Sequence, residues 1–313
     1  MSLDWKVDWK GVIPAQTTPF NQDLSIDHGV LAAHARWMVD AGCTGIVPGG
    51  SLGEGATLTG TEKLEVLATL VRAVGDRVPI LPAVASASTA EAVRFVRDAQ
   101  AAGASGFMVL PPYVYSSDWR EMKAHIASIL AATDLSCMLY NNPVAYRTDF
   151  VPEQIAELAR ECPHLAAVKE SSTDVRRITA IRALIDNRLE ILVGVDDAIV
   201  EGIAAGAVGW IAGLVNAFPH ESVALFQAAG ERRTEETSAL YRWFLPLLRL
   251  DTVPKFVQLI KLVQEQMEWG SARVRPPRLE LIGAERAETL AVLEHALAHR
   301  PHLERTAAVE VAG

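Results

Sequence analysis

The sequence predicts an α/β protein, a (β/α)8 barrel with additional C-terminal helices, and three observations lead to this fold class. Short apolar runs alternate with longer segments in which apolar residues recur with helical period. The alternation returns about every 20 to 35 residues, which is typical of repeated βα units. Eight such runs precede residue 217. Eight parallel strands joined by crossover helices close into a barrel, whose active site lies at the C-terminal ends of the strands.

The eight predicted strands are short and mostly apolar, and the helical segments lie between them. The strands span residues 11–17, 45–48, 80–84, 106–110, 137–140, 165–169, 190–193 and 209–212. The helices span residues 26–41, 59–74, 89–102, 119–131, 152–161, 175–185 and 198–205. Ser88 and Asp118 are good N-cap residues at two of the predicted helix starts.

The apolar periodicity continues beyond the eighth strand, at residues 240–250, 253–267 and 284–298. We therefore predict three regions: a barrel over residues 1–217, a helical extension over 218–302 that packs beside it, and a tail over 303–313. The tail has no packing pattern, so we expect it to be disordered.

Composition excludes several classes of protein. The chain has 313 residues, half of them hydrophobic, and a formal net charge of -9. An acidic chain without a basic run lacks the electrostatic footprint of a nucleic-acid-binding protein. Its most membrane-like stretch, residues 204–218, is shorter than the roughly 20 residues that span a bilayer. The first residues are charged and carry no apolar signal segment, so we expect a cytoplasmic protein.

Neither a metal site nor a disulfide framework is indicated. Cys43, Cys137 and Cys162 lie far apart, without the spacing of a zinc site. His295 and His299 are four residues apart, as metal ligands on a helix can be, but no Glu or Cys completes the set. We predict no metal and no organic cofactor.

The best clue to function is Lys169, which ends the apolar strand 165–169. Burial removes water from an ammonium group and lowers its pKa from the usual value of about 10.4. A neutral amine can attack a ketone or aldehyde and form a Schiff base. The alternative is a lysine that extends from the strand end into solvent. Its surroundings favour the nucleophile.

The other predicted strand ends gather groups that suit this chemistry. The glycine-rich loop after the second strand offers unobstructed backbone N–H groups at Gly50 and Ser51, which can bind a carboxylate. The Ser51 hydroxyl and the Tyr140 phenol could move the protons that imine formation requires. Tyr140 could equally be a core tyrosine. For Asp196 we favour a helix cap over a catalytic role.

These residues carry a family resemblance that covers nearly the whole chain. The motifs are Gly-Ser-Leu-Gly-Glu at 50–54, Tyr-Asn-Asn-Pro at 140–143 and Val-Lys-Glu-Ser-Ser at 168–172. In order and spacing they resemble the dihydrodipicolinate synthase and N-acetylneuraminate lyase family. The resemblance implies a TIM barrel, a pyruvate-type Schiff base on Lys169, proton transfer by Tyr140 and carboxylate binding by Gly50 and Ser51. It also implies a homotetramer, a dimer of dimers, and no cofactor.

Three departures concern the second substrate. In the synthases the loop normally reads Gly-Thr-Thr-Gly-Glu, whereas Leu52 replaces the second threonine here and has no hydroxyl to pass a proton. The usual tyrosine pair reads Tyr113-Val114, with Tyr115 displaced by one. The arginine that usually follows the tyrosine motif closely is displaced to Arg147. Our predicted substrate-binding residues are Gly50, Ser51, Leu52, Tyr113, Asn142, Arg147 and Gly213; the predicted catalytic residues are Lys169, Tyr140 and Ser51.

We therefore predict a Schiff-base lyase or deaminase for a small 2-oxo or 2-imino acid, and favour 1-pyrroline-4-hydroxy-2-carboxylate deaminase. One alternative is a dihydrodipicolinate synthase that condenses pyruvate with aspartate semialdehyde. Another is an aldolase or dehydratase of 2-keto-3-deoxy sugar acids. A different class of answer is a barrel that binds 2-oxo acids without catalysis. A metal-dependent aldolase is a further alternative, but it would need a His and carboxylate cluster, which the predicted strand ends lack.

Overall fold

Seven parallel strands form one curved sheet in the computed structural model, which describes residues 7–113 and 118–303. The strand order is β1-β7-β6-β5-β4-β3-β2. The strands are β1 (Gly11–Pro14), β2 (Ala83–Val84), β3 (Gly106–Val109), β4 (Ser136–Asn141), β5 (Leu165–Glu170), β6 (Glu190–Val193) and β7 (Gly209–Ala212).

The segment 44–48 closes the sheet between β1 and β2, at the place of the second predicted strand. It makes two isolated parallel bridges, from Val47 to Ala15 and from Ile46 to Ile80. The Val47 N–H donates to the Pro14 carbonyl at 2.8 Å, and the Leu81 N–H donates to the Ile46 carbonyl at 2.8 Å. The eight-stranded barrel is therefore confirmed. The ladder is broken here because prolines at 48, 79 and 82 have no N–H to donate.

Helices cover the outside of the barrel because each crossover returns the chain to the start of the next strand. They are α1 (His28–Asp40), α2 (Gly60–Val74), α3 (Thr89–Ala101), α4 (Trp119–Leu130), α6 (Pro152–Glu161), α7 (Arg176–Ile185), α8 (Ile199–Ala204) and α9 (Pro219–Gly230). The single helical turn α5 (Pro143–Tyr146) differs from them, because it follows β4 directly at the C-terminal end of the barrel. The predicted caps are present: Ser88 accepts from the Glu91 N–H, and Asp118 accepts from two N–H groups of the first turn of α4.

The C-terminal helices are α10 (Thr234–Leu248), α11 (Phe256–Gln266) and α12 (Gly283–Ala298). They correspond to the three periodic segments of the predicted extension. Helix α9 falls within the predicted extension, but it packs against α8 and β1 and completes the outer ring of the barrel. The outer ring therefore runs to Gly230, beyond the predicted boundary at 217, since the last strand also needs a helix to cover it. The predicted tail lies outside the described residues from 304 onward.

His34 lies on α1 and is fully buried, where this helix packs against the segment that follows the last barrel strand. Its Nε2 lies 2.8 Å from the Asn216 carbonyl oxygen, and its ring packs against Trp37 and Trp269. Burial lowers the pKa of His34 to about 4. The imidazole is therefore neutral in the folded protein at neutral pH.

This histidine predicts a loss of stability in acid. Between about pH 6.5 and 4, His34 is protonated in the unfolded chain but stays neutral in the folded chain. The free energy of unfolding therefore falls as the pH falls. The lowered pKa corresponds to about 3 kcal/mol across that interval. Urea unfolding at pH 7 and pH 4.5 measures it. His34→Gln should reduce this pH dependence, and a variant with the full dependence would contradict the assignment.

No helix in the described ranges 7–113 and 118–303 is long and apolar enough to cross a membrane.

Candidate active site

Lys169 and Tyr140 face each other on adjacent strands at the C-terminal end of the barrel. Parallel pairing of β4 and β5 places the two residues in register. Both are buried, and the Lys169 Nζ lies 4.0 Å from the centroid of the Tyr140 ring. A Cβ at Gly194 would overlap the Lys169 side chain, so the glycine leaves the space in which the lysine extends. The sheet register thus fixes the amine beside the phenol.

The environment of Lys169 favours the neutral amine. Burial lowers its pKa to about 8, although the carboxylates of Asp251 and Asp196 oppose that change. Burial also raises the pKa of Tyr140 to about 12, while a hydrogen bond from Asn142 Nδ2 at 2.9 Å acts in the other direction. A neutral amine is therefore accessible near neutral pH, and the phenol keeps its proton.

These two side chains open into a cavity of about 560 Å³. Its volume lies in the range of small-molecule sites. The walls are mainly apolar, and polar groups project at a few points. Most of the predicted site residues line it: Gly50, Ser51, Leu52, Tyr113, Tyr140, Asn142, Lys169 and Gly213.

The loop after the 44–48 segment supplies donors for an anion. Within the described chain the backbone N–H groups of Gly50 and Ser51 have no hydrogen-bond acceptor, whereas the Gly50 carbonyl is occupied by the Gly55 N–H at 3.0 Å. A Cβ at Gly53 would lie 2.8 Å from the Gln16 carbonyl oxygen, so the loop packs tightly against the first strand. Two free donors on a rigid loop can bind a carboxylate.

A buried ion pair fixes the same loop. Glu54 has a left-handed backbone conformation, with φ of 53°, and its carboxylate is buried. The Lys261 Nζ on α11 donates to it at 2.9 Å, and the Arg275 backbone N–H donates at 3.0 Å. Glu54 therefore ties the loop to the C-terminal extension.

Ser51 makes a hydrogen bond to the hydroxyl of Tyr146. Tyr146 ends the short helix α5, which begins at Pro143 directly after the Tyr140 motif. Its ring stacks on Tyr113 with 5.1 Å between centroids and meets Tyr140 edge-on at 5.9 Å. Burial raises the pKa of Tyr146. A serine and two tyrosine hydroxyls thus surround the space in front of the amine.

Asp196 does not cap its own helix. Its buried carboxylate accepts hydrogen bonds from the Gly213 N–H at 3.0 Å, the Leu214 N–H at 2.7 Å and Trp210 Nε1 at 2.9 Å. Burial raises the pKa of Asp196 to about 6, although these three hydrogen bonds lower it. The aspartate therefore holds the end of β7 in place.

Arg147 is the predicted substrate-binding residue that the structure does not bring to the cavity. It follows α5 in a left-handed conformation, with φ of 57°, and its side chain is exposed. The displaced partner Tyr115 and its neighbour Val114 lie outside the described residues. Arg278, from the segment before α12, lines the cavity instead.

Sequence reasoning missed two charged groups of the site, Asp251 and Arg278, both in the C-terminal extension. Apolar periodicity locates the helices of that region but does not tell which connecting segments fold over the strand ends. One signal was available for Asp251. Gly213 ends a barrel strand without a side chain, and a Cβ there would overlap the Asp251 carboxylate.

The described residues contain no group of three His, Cys, Asp or Glu side chains that could hold a metal ion. The His295 and His299 rings pack together, and His299 Nδ1 lies 2.8 Å from the His295 carbonyl oxygen.

Residues 8–296 match the model of the dihydrodipicolinate synthetase family. The chain belongs to this family. The 4-hydroxy-tetrahydrodipicolinate synthase of Methanoculleus marisnigri is 32% identical over 288 residues, which cover 91% of this chain and 98% of that protein. The resemblance read from the motifs is therefore confirmed.

Solved structures agree with the family in fold. A candidate dihydrodipicolinate synthetase from Pseudomonas aeruginosa is 30% identical and superimposes with a TM-score of 0.87, over 93% of this chain and all of that one. The 4-hydroxy-tetrahydrodipicolinate synthase of Methylacidiphilum fumariolicum SolV is 25% identical, with a TM-score of 0.88 over 93% and 98% of the two chains. As a member of this family, the chain is a lyase of the Schiff-base-forming kind.

Proposed function

We propose that the chain is a 1-pyrroline-4-hydroxy-2-carboxylate deaminase in which Lys169 is the nucleophile. The observation that carries this proposal is the pairing of Ser51 with Tyr146 beside a buried Leu52. In the synthases a second threonine hydroxyl stands at the place of Leu52. Here that place is apolar, and a tyrosine from α5 contacts the loop serine instead.

The retained groups suit a 2-imino acid. The free N–H groups at Gly50 and Ser51 would bind the carboxylate and so hold C2 of the ring near the Lys169 amine. The amine would attack the C=N carbon, and the ring nitrogen would leave C2 after it gains a proton. Tyr140, with its raised pKa, suits a group that gives and regains a proton near that nitrogen. The lysine would then hold the open chain as a Schiff base.

The altered groups suit a compact substrate. Leu52, Met108 and Leu110 line the cavity, and so do Tyr113 and Tyr146, whose rings stack on each other. Apolar walls favour a small ring over a second charged molecule such as aspartate semialdehyde, because burying an unpaired charge costs free energy. We further propose that the protein is cytoplasmic and that the chain assembles as a homotetramer.

The second candidate is 4-hydroxy-tetrahydrodipicolinate synthase, the name of the relative from Methanoculleus marisnigri. The observation in its favour is Arg278, a guanidinium on the cavity wall that could bind the carboxylate of aspartate semialdehyde.

A substrate panel tests the proposal. Purified protein should release ammonia and 2,5-dioxopentanoate from 1-pyrroline-4-hydroxy-2-carboxylate, and it should show a lower kcat/KM with pyruvate plus aspartate semialdehyde. Deoxy sugar acids and sialic acid complete the panel. A higher kcat/KM for the condensation would favour the synthase. Binding of pyruvate without turnover of any panel member would favour a non-catalytic barrel.

A further inference from the structure

Asp251 enters the active-site cavity from outside the barrel. It ends the short 3-10 turn Arg249–Asp251 that connects α10 to α11. Its carboxylate lies over Gly213, in space that any side chain at that position would fill. The residue lines the same cavity as Lys169 and Tyr140. A carboxyl group thus lies at the end of β7, which is separated by β6 from the strand that carries the amine.

The Asp251 carboxyl has no partner within the described chain, in contrast to its neighbour Asp196. Neither a hydrogen bond nor an ion pair to a described residue occupies its oxygens, whereas Asp196 accepts three hydrogen bonds. In its ionised form Asp251 would raise the pKa of Lys169, so the carboxyl group and the amine lie close enough to interact. A partly buried carboxyl group on the wall of a cavity, without a partner in the described chain, is available to a ligand.

The two aspartates differ in the form that each favours. Burial, and then the negative charge of Asp196, raise the pKa of Asp251 well above its ordinary value. Asp196 keeps backbone donors that stabilise its ionised form. When two nearby carboxyl groups have environments this different, one remains a proton donor while the other ionises. Asp251 is the donor of the pair.

We propose that Asp251 is the general acid that protonates a hydroxyl group as it leaves C4 of the Schiff-base intermediate. The substrate class is then a 2-oxo or 2-imino acid with a hydroxyl at C4, whether ring or open chain. The inference rests on the proposed function, because it assumes that Lys169 holds the substrate through C2. It adds the group that makes elimination possible, which the lysine and the tyrosine do not supply.

The step balances without any further reagent. After Lys169 condenses with C2 and Tyr140 gives its proton to the ring nitrogen, the Tyr140 phenolate removes a proton from C3 and the electron pair enters the enamine. That pair then forms the C3=C4 double bond while the C4–O bond breaks. The leaving oxygen takes the Asp251 proton and departs as water, so Asp251 ends the step as a carboxylate. The carboxylate can next accept the proton that leaves C5, which restores the acid before hydrolysis.

Asp251→Asn separates elimination from Schiff-base formation, because asparagine keeps the shape and cannot donate an acidic proton. Loss of water from 1-pyrroline-4-hydroxy-2-carboxylate should fall about 100-fold or more in kcat, the usual size of a general-acid contribution. Borohydride trapping of pyruvate on Lys169, and exchange of the pyruvate methyl protons in D2O, should stay as in the parent. A substrate analogue with chlorine at C4 should lose chloride at the parent rate, because chloride leaves without a proton.

Asp134→Asn is the control for removing a carboxyl group as such, since this exposed aspartate is not among the described cavity residues and contacts Gln100 rather than the turn that carries Asp251. It should keep the parent rate of water loss. Parent-level water loss in Asp251→Asn would overturn the role of Asp251 and leave the proposed function intact. Loss of pyruvate trapping in that variant would also overturn the role, because Asp251 would then act on the lysine. A parent protein that eliminates water from no C4-hydroxylated substrate would overturn the proposed function and this inference together.

Discussion

Replacing Lys169 by methionine should abolish the chemistry of this protein while leaving it folded. Methionine has nearly the length of lysine and fills the same buried space, but it has no nucleophile. We expect turnover of the favoured substrate to fall by on the order of 10⁴-fold or more, because methionine cannot form the covalent intermediate. Borohydride with pyruvate should add mass to the parent protein and none to Lys169→Met.

The pH dependence of trapping tests why this lysine reacts. With a pKa of about 8, Lys169 has about 300 times more neutral amine at pH 7 than a lysine at the ordinary value would have. The neutral form grows as pH rises, so the trapping rate should increase from pH 6 to about 8 and level off above it. A rate that continues to rise towards pH 10 would show an unperturbed amine and would contradict the role of burial.

Lys63→Met is the control for lysine burial as such. Burial also lowers the pKa of Lys63, whose Nζ lies 5.9 Å from the Phe95 ring centroid, but this residue is not among the described cavity residues. The variant should form the pyruvate adduct at the parent rate. An adduct that survives in Lys169→Met and disappears in Lys63→Met would move the chemistry to the other lysine.

The position of Lys169 beside Tyr140 could be predicted from sequence because it follows from the geometry of a barrel. Parallel strands end at one rim, so Lys169 and Tyr140 at the ends of adjacent apolar runs had to meet there. The loop at Gly50 could be placed at the same rim, because it follows the second predicted strand. Glycines that leave backbone N–H groups unobstructed can be recognised without coordinates.

The rest of the site depends on contacts between distant parts of the chain. Tyr146 reaches Ser51 because residues 143–146 form one helical turn, whereas a linear reading gave Arg147 as the substrate-binding residue of that segment. Asp251 and Arg278 reach the cavity only after the extension folds against the barrel. No local pattern encodes that docking, since it follows from the packing of α10, α11 and the segment before α12 against the barrel.

Replacing Lys261 by methionine should have the largest effect on stability among the variants considered. Lys261 is almost fully buried, where its Nζ donates to Glu54 and to the Thr18 carbonyl at 3.0 Å. It also lies 4.4 Å from the centroid of the Phe20 ring. Methionine preserves the apolar packing but leaves Glu54 as a buried carboxylate that keeps only its backbone donor at Arg275. We expect a loss of about 3–5 kcal/mol in the free energy of unfolding, measured in urea.

Two further variants show whether the uncompensated charge causes that loss. Glu54→Gln combined with Lys261→Met removes both charges and should recover part of the lost stability, because replacing both partners of a buried pair costs less than removing one. Lys255→Met breaks the exposed pair with Glu285, just before the start of the same helix, and should change stability by about 1 kcal/mol or less. If Lys261→Met were as stable as the parent, the loop would hold its shape without the ion pair. The positions of the free donors at Gly50 and Ser51 would then depend on other contacts.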